Sequence, residues 1–250
     1  MTVNWYEDMN LWSGFSEVLF TPERARAAAE VVTSSSLFAF PPGSRVLDQC
    51  CGVGFFTAPM ARRGYRVTGV DLHSELLERA AATCAAAGVK ASFVQADVRE
   101  HVAPEAYDVV VNMYTSFGYF DDHDDNLQVL CNAHRSLAPG GRLIVDLLSK
   151  ETYASWAGTP KIVDVPGGMV VMRDTILDDW ARYRTDWTLV RGDKAEHASL
   201  ICYVYSAAEL RGMFAQAGFE EIECFGTLDG GPYDAGATRL IVRGVKARPA

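Results

Sequence analysis

Arg45-Val46-Leu47-Asp48-Gln49-Cys50-Cys51-Gly52-Val53-Gly54-Phe55-Phe56 decides the fold. Residues 45–48 read as a short buried strand, the Gly52 and Gly54 pair as a tight loop, and residues 55–63 as an apolar helix. A glycine at such a turn lets a ligand approach the backbone where a side chain would stand in the way. It also serves simply to turn a strand into a helix, so the surroundings decide between the two uses. A dinucleotide fingerprint has a third glycine, and here Thr57 holds that position. The stretch also lacks the Gly-x-x-x-x-Gly-Lys-Ser/Thr of a phosphate-binding loop.

Outward from this loop, strand and helix alternate. Upstream, Thr21-Pro22-Glu23 supplies a cap, a helix-compatible proline and a first-turn acid, so a helix is predicted from 22 to the middle thirties. Downstream, strands are predicted over 66–71, 91–95, 107–112 and 142–148, with helices over 74–87 and 124–137. Leu77, Ala80, Ala81 and Cys84 share one face of the first of these helices. Nearly continuous apolar strands separated by helices predict an α/β fold, a mainly parallel sheet covered on both faces with right-handed crossovers. Residues 161–205 change texture: β-branched and aromatic runs are broken at Pro166-Gly167-Gly168, Asp178-Asp179 and Gly192-Asp193. They read as an inserted antiparallel meander. Ser206 to Glu209 is a capping-box pattern for a helix ending at Gly218, and strands over 219–225 and 238–245 follow. Residues 248–250 read as a disordered tail.

Composition narrows the partners. Thirty-two acidic against twenty-three basic residues give a formal charge of −9, which argues against nucleic acid or an anionic membrane surface. Six cysteines without a Cys-x-x-Cys pair read as reduced thiols in a cytoplasmic protein. No basic segment leads into an apolar run near the start, and no uninterrupted apolar stretch approaches membrane-spanning length. The acidic run Asp121, Asp122, Asp124 and Asp125 lacks the spacing of a calcium loop, so no metal is assigned.

In open parallel sheets ligands bind beyond the carboxyl ends of the strands. Asp71 ends the second strand, nineteen residues after Gly52, where an acid accepts hydrogen bonds from a ribose diol. Asp97, just after the third strand, is placed to accept from an adenine amino group, with the Val98 backbone beside the ring.

The run from Val46 to Gly54 resembles the first motif of class I S-adenosylmethionine-dependent methyltransferases, and Val67-Thr68-Gly69-Val70-Asp71-Leu72 resembles their second. Ala96-Asp97-Val98, Tyr107 to Asn112, and Leu137-Ala138-Pro139-Gly140-Gly141-Arg142 follow in the family's order. The resemblance implies a Rossmann-like seven-stranded sheet with S-adenosylmethionine as cofactor and S-adenosylhomocysteine as product. It implies that Asp48 anchors the loop near the methionyl amine and that Gly52 and Gly54 face the cofactor. Asp71 and Leu72 would lie at the ribose, Asp97 and Val98 at the adenine, and Asn112 and Met113 beside the methionine part. Cys50 departs from the pattern, since family members usually carry glycine there. The chain then divides into an N-terminal helical lid (1–40), a cofactor-binding core (41–150), an antiparallel substrate cap (151–205) and a part that completes the core sheet (206–250).

The segment Ser116-Phe117-Gly118-Tyr119-Phe120 resembles a loop of small-molecule methyltransferases, several of them similar to tailoring enzymes of antibiotic and other natural-product pathways. Leu228 to Tyr233 resembles a second loop of that subgroup. Phe117 is expected to form an aromatic wall for the acceptor, Tyr119 to orient it or accept a proton, and His123 to act as a base. Each has a plainer alternative: Phe117 as core, Tyr119 as packing, the acids around His123 as a helix cap. Trp12 is expected to cover the methionyl end and Tyr6 to meet the substrate, while Arg173 and Tyr183 would recognise it from the meander.

The expected function is methyl transfer to a small secondary-metabolite intermediate, with an amine nitrogen favoured over oxygen or carbon. A non-catalytic cofactor-binding or structural module and an NAD-dependent oxidoreductase are the alternatives. A monomer and a homodimer are equally compatible with the sequence.

Overall fold

A computed structural model describes residues 4–249. Met1 to Val3 of the expected lid and Ala250 of the expected tail lie outside them. The chain begins with a short 3-10 turn (Trp5–Glu7), then α1 (Met9–Gly14), α2 (Ser16–Leu19) and α3 (Pro22–Ser34). The Thr21 hydroxyl accepts the Arg24 N–H and Pro22 occupies the first turn of α3, as the local sequence dictates. The core then runs β1 (Arg45–Gln49), α4 (Thr57–Arg62), β2 (Arg66–Asp71), α5 (Ser74–Ala86), β3 (Ser92–Gln95), β4 (Tyr107–Asn112), α6 (His123–Ser136) and β5 (Leu137–Leu147). After α7 (Lys150–Ala154) come β6 (Lys161–Val165), β7 (Gly168–Leu177), β8 (Arg182–Arg191) and β9 (Lys194–Tyr203). The chain closes with α8 (Ala207–Gln216), β10 (Phe219–Phe225) and β11 (Leu240–Lys246).

Seven strands form one sheet in the order β10-β11-β5-β4-β1-β2-β3, in which β11 alone runs against the other six. From β1 the chain winds outward through β2 and β3, then returns to build β4 and β5 on the other side. That reversal makes β1 and β4 neighbours and opens a crevice above their carboxyl ends. The remaining four strands form an antiparallel sheet, β6-β7-β8-β9, joined by consecutive hairpins.

Strand alternation sorts the core. Val46, Val109, Val111 and Ile144 point to the side covered by α3 and α4. Leu47, Val110, Leu143 and Val145 point to the side covered by α6 and α8. Leu137, expected to end the helix, and Pro139-Gly140-Gly141, expected to turn into a strand beginning at Arg142, instead belong to β5, with a register irregularity between Tyr107 and Val109 of β4. The predicted helix over 55–63 is shortened to α4, and α7 carried no long periodic signal. Among the described residues, no helix is long and apolar enough to cross a membrane.

Candidate functional site

A cavity of about 1070 Å³, counted out to its open mouth, lies over the carboxyl ends of β1 to β4. Of the residues singled out from sequence, Asp48 and Gly52 line it after β1, Asp71 and Leu72 after β2, and Asp97 and Val98 after β3. Met113 and Tyr119 line it from the segment after β4, and Tyr6 and Trp12 from the N-terminal segment. Local strand endings thus bring four chain crossings to one rim.

The Asp71 carboxylate is fixed from both sides. The Gly52 N–H donates to Oδ2 at 2.8 Å and the His73 N–H to Oδ1 at 3.1 Å. Burial raises its pKa, and those backbone hydrogen bonds oppose the rise. The ring of His73 reaches the other way, with Nε2 2.8 Å from the Tyr6 carbonyl oxygen. A carbonyl only accepts, so Nε2 carries the hydrogen. The same oxygen accepts from Trp12 Nε1 at 3.1 Å, which seats the N-terminal segment on the rim. On its far side this segment meets the antiparallel sheet, through Trp5 Nε1 to the Ile201 carbonyl at 2.9 Å and an ion pair between Glu17 and Arg191.

Asp48 is buried, and burial pushes its carboxyl up to about 7, aided by the nearby Asp71 and opposed by the Thr57 hydroxyl, which donates at 2.5 Å. Thr57, in the place of a third glycine, thus holds the carboxyl at the floor of the site. The unfolded chain ionises this group near 3.8, so between about pH 4 and 7 the folded state binds more protons and stability falls as pH rises. Asp48→Asn is expected to raise the melting point at pH 8, by up to about 4 kcal/mol of stability, and to leave it unchanged at pH 4. Thermal melts at the two pH values check this, and an equal shift at both would refute the ionisation argument.

Cys50 occupies a left-handed backbone position, φ 55°, which explains why glycine suits it. Its thiol is driven well above the ordinary range by burial, which makes it inert at neutral pH.

The segment after β4 meets the N-terminal helices at two cavity-lining residues that sequence reasoning missed, Tyr114 and Arg24. Arg24 of α3 lines the cavity with its guanidinium 4.7 Å from the centre of the Tyr114 ring. Burial works against its charge, and among the described residues its side chain has no ion-pair or hydrogen-bond partner. Tyr114 and the following Thr115 both adopt left-handed conformations, φ 57° and 63°. Asp146 at the end of β5 receives the Tyr114 N–H at 2.9 Å, and the Tyr114 hydroxyl donates to the Arg24 carbonyl at 3.0 Å. The local signal at Arg24 was only that of a helix start; nothing in it said which way the side chain would turn.

Six residues expected in the site stand elsewhere. Gly54 faces α5 rather than the cavity: its φ is 81°, and a β-carbon there would stand 3.2 Å from the Ala80 backbone. Its smallness is needed for packing. Asn112 is buried outside the cavity wall, its amide nitrogen and oxygen both without a partner among the described residues. Phe117 packs in the main core, 5.6 Å from Tyr205, because the chain reverses at Gly118 and is pinned where the Tyr203 N–H donates to the Gly118 carbonyl at 2.7 Å. Tyr119, two residues on, takes the cavity-facing position. His123 is exposed at the start of α6, beside Tyr203 and Tyr205. Arg173 is exposed on β7 opposite Asp186, since alternation turns its neighbours inward. Tyr183 is buried against Tyr153 and Cys202, beneath Tyr119 rather than in the wall. Among the described residues, no cluster of three or more His, Cys, Asp or Glu is placed to hold a metal ion.

Residues 46–141 match the profile of a family described as methyltransferase domain. The chain is 34% identical over 110 residues to the ubiquinone biosynthesis O-methyltransferase of Vibrio cholerae, a match covering 43% of each protein. It therefore spans about half the length of the curated relatives it matches. Among solved structures it is similar to an S-adenosylmethionine-dependent methyltransferase from Clostridium acetobutylicum, with a TM-score of 0.77, 16% identity, and coverage of 96% of this chain and 100% of that one. It is also similar to an amino pentose methyltransferase from Micromonospora echinaspora, solved with S-adenosylmethionine bound. That TM-score is 0.64, with 20% identity and coverage of 99% of this chain and 100% of that one.

Proposed function

We propose that this chain, whose residues 46–141 match a methyltransferase domain, transfers the methyl group of S-adenosylmethionine to the amine nitrogen of a small natural-product precursor. The observation that carries this reading is the distribution of charge in the cavity. Asp71 and Asp97 offer acceptors for a nucleoside, while Asp48 and Arg24 leave one buried acid and one unpaired cation for an amino-acid tail. A pyrophosphate would meet carboxylates at both ends of this cavity, which disfavours a dinucleotide.

When bound, S-adenosylmethionine supplies a methyl carbon on a positively charged sulfur: the acceptor lone pair forms the new bond as the carbon–sulfur bond breaks and leaves its electrons on sulfur. Asp71 holds the ribose hydroxyls and Asp97 the adenine amino group. Arg24 holds the methionyl carboxylate, and the ionised Asp48 balances the methionyl ammonium. Trp12, Phe20, Tyr114 and Tyr119 close an aromatic wall that excludes water and favours a cation. The segment before residue 40 acts as the lid, and the antiparallel sheet behind Tyr119 as the cap. Alignment of the reactants supplies much of the rate.

A nitrogen acceptor fits because the wall offers no strong base. Burial drives the Tyr119 hydroxyl far above its usual range, so it stays protonated and cannot take up a proton, and the His73 Nε2 is engaged by Tyr6. An amine that enters uncharged attacks without one and releases its proton to solvent afterwards. Names among the fold neighbours, an amino pentose methyltransferase involved in calicheamicin biosynthesis and a sugar N-methyltransferase, support this acceptor class.

The test is transfer of a labelled methyl group to a panel of amines and phenols, read by mass spectrometry. Label on amines is the expected result. Label chiefly on phenols would favour oxygen transfer, and binding of S-adenosylhomocysteine without any transfer would favour a binding module. His123→Ala is expected to change turnover on an amine less than about twofold, since the ring stands outside the wall. Arg24→Met is expected to weaken S-adenosylhomocysteine by about tenfold or more, and its decarboxylated analogue hardly at all, by calorimetry. Equal losses for both ligands would remove Arg24 from the carboxylate.

A further inference from the structure

Arg99 stands directly behind the cavity wall, where it grips the carboxylate of Asp97. Its Nη2 lies 2.6 Å from Oδ2, its Nε 3.0 and 3.1 Å from the two oxygens, and its backbone N–H donates to Oδ1 at 2.8 Å. On the other side Nη1 reaches Asp125 of α6 at 3.0 Å. The flat of the guanidinium lies 4.4 Å from the centre of the Phe120 ring and 6.0 Å from that of Tyr6. Asn132 of α6 fastens the Arg99 carbonyl at 2.7 Å. A residue outside the cavity thus grips Asp97 and lies over the ring of Phe120, both of which line it, with the Tyr6 ring farther off.

We propose that Arg99 is the positioning residue that keeps Asp97 an obligate hydrogen-bond acceptor, and that it thereby selects a purine carrying an amino group at position 6. The proposal rests on the placement of adenine against Asp97 given above. An ionised carboxylate only accepts, whereas a protonated one also donates and would welcome a 6-oxo group. Asp97 is about four-fifths buried; burial alone would raise its carboxyl, but the side-chain and backbone hydrogen bonds from Arg99 outweigh it and hold the group below the ordinary carboxylate range. Other groups facing it come from separate elements: the Tyr6 hydroxyl from the N-terminal segment and the Cys50 thiol from the loop after β1, both raised by burial and uncharged at neutral pH. Asp125 of α6, across Arg99, adds a second carboxylate. Arg99 is the one cation acting on Asp97 among the described residues. Removing its side chain leaves burial opposed by the backbone N–H alone, so the Asp97 carboxyl rises and protonates at a higher pH than in the natural chain.

The test measures binding of S-adenosylhomocysteine and of S-inosylhomocysteine, its 6-oxo analogue, by calorimetry at pH 8 and pH 5. The natural chain is expected to prefer the amino ligand by roughly 10- to 100-fold at both pH values. Arg99→Gln is expected to keep that preference at pH 8 and lose about tenfold of it at pH 5, with Arg99→Lys in between. Any mismatch of the 6-oxo ligand at the Val98 backbone is common to all variants and cancels. A preference at pH 5 equal to that of the natural chain in both variants would overturn the proposal; if the Gln variant does not fold, the Lys variant decides alone by the same criterion. Asp97→Asn, which donates at any pH, is expected to lose the preference at pH 8 as well. A natural chain without any preference would instead refute the placement of adenine at Asp97, a failure distinct from that of Arg99.

Discussion

Asp71→Ala is expected to weaken S-adenosylhomocysteine by about 100-fold or more, the largest loss of affinity from any single change in the cavity. On the proposed reading two ribose hydroxyls lose a charged acceptor together, and the Gly52 and His73 N–H groups that Asp71 now satisfies are left without one. The damage therefore spreads to the loop after β1 and, through His73, to the Tyr6 carbonyl that seats the N-terminal segment. Asp97→Ala is expected to cost less, because Asp97 spends much of its accepting capacity on Arg99. Calorimetry on both variants measures the order. Affinity within threefold of the natural chain for Asp71→Ala would remove the ribose from this rim.

The second large effect concerns stability. Asp146 is fully buried at the end of β5 and is paired with Arg239 just before β11, with Nη2 2.9 Å from Oδ2 and Nε on Oδ1. The pair clamps the left-handed turn after β4: Asp146 receives the Tyr114 N–H on its carboxylate and the Thr115 N–H on its carbonyl at 3.0 Å, while Arg239 donates to the Thr115 hydroxyl at 3.2 Å. Burial disfavours the Arg239 charge, and the facing carboxylate more than restores it. Arg239→Met strands a buried carboxylate and is expected to destabilise the fold by about 3–5 kcal/mol. The melting temperature then falls by roughly 10 °C. Adding Asp146→Leu is expected to return most of that stability, since it is the unpaired charge that costs, but not the transfer rate, since the turn presenting Tyr114 to the cavity has lost its hold. A double variant with both full stability and full turnover would show that the clamp does not position the turn.

Much of the architecture was legible because it is written in short-range patterns. Strand period, helix period and turn residues over 45–148 predict a parallel sheet, and the sheet's own geometry sends Asp71 and Asp97 to one rim. The segment after β4 was less legible. Phe117 and Tyr119 stand two residues apart, both aromatic, and sequence favoured the first; the reversal at Gly118, pinned by a hydrogen bond to β9 almost ninety residues later, turned the second into the cavity. Arg173 and Tyr183 failed for a related reason. Alternation along a strand states that neighbours face opposite ways but not which face meets the site.

From the chain alone came the sheet, the glycine loop and the acids at the strand ends, since each depends on neighbours within a few residues. The tertiary structure decided the charge at the far end of the cavity, where segments near residues 24, 114, 146 and 239 meet. It also decided the state of Asp48, whose carboxyl titrates near 7 because the packed core withholds water. Desolvation and the pairing of distant charges are properties of the assembled interior, and no local stretch of sequence records them.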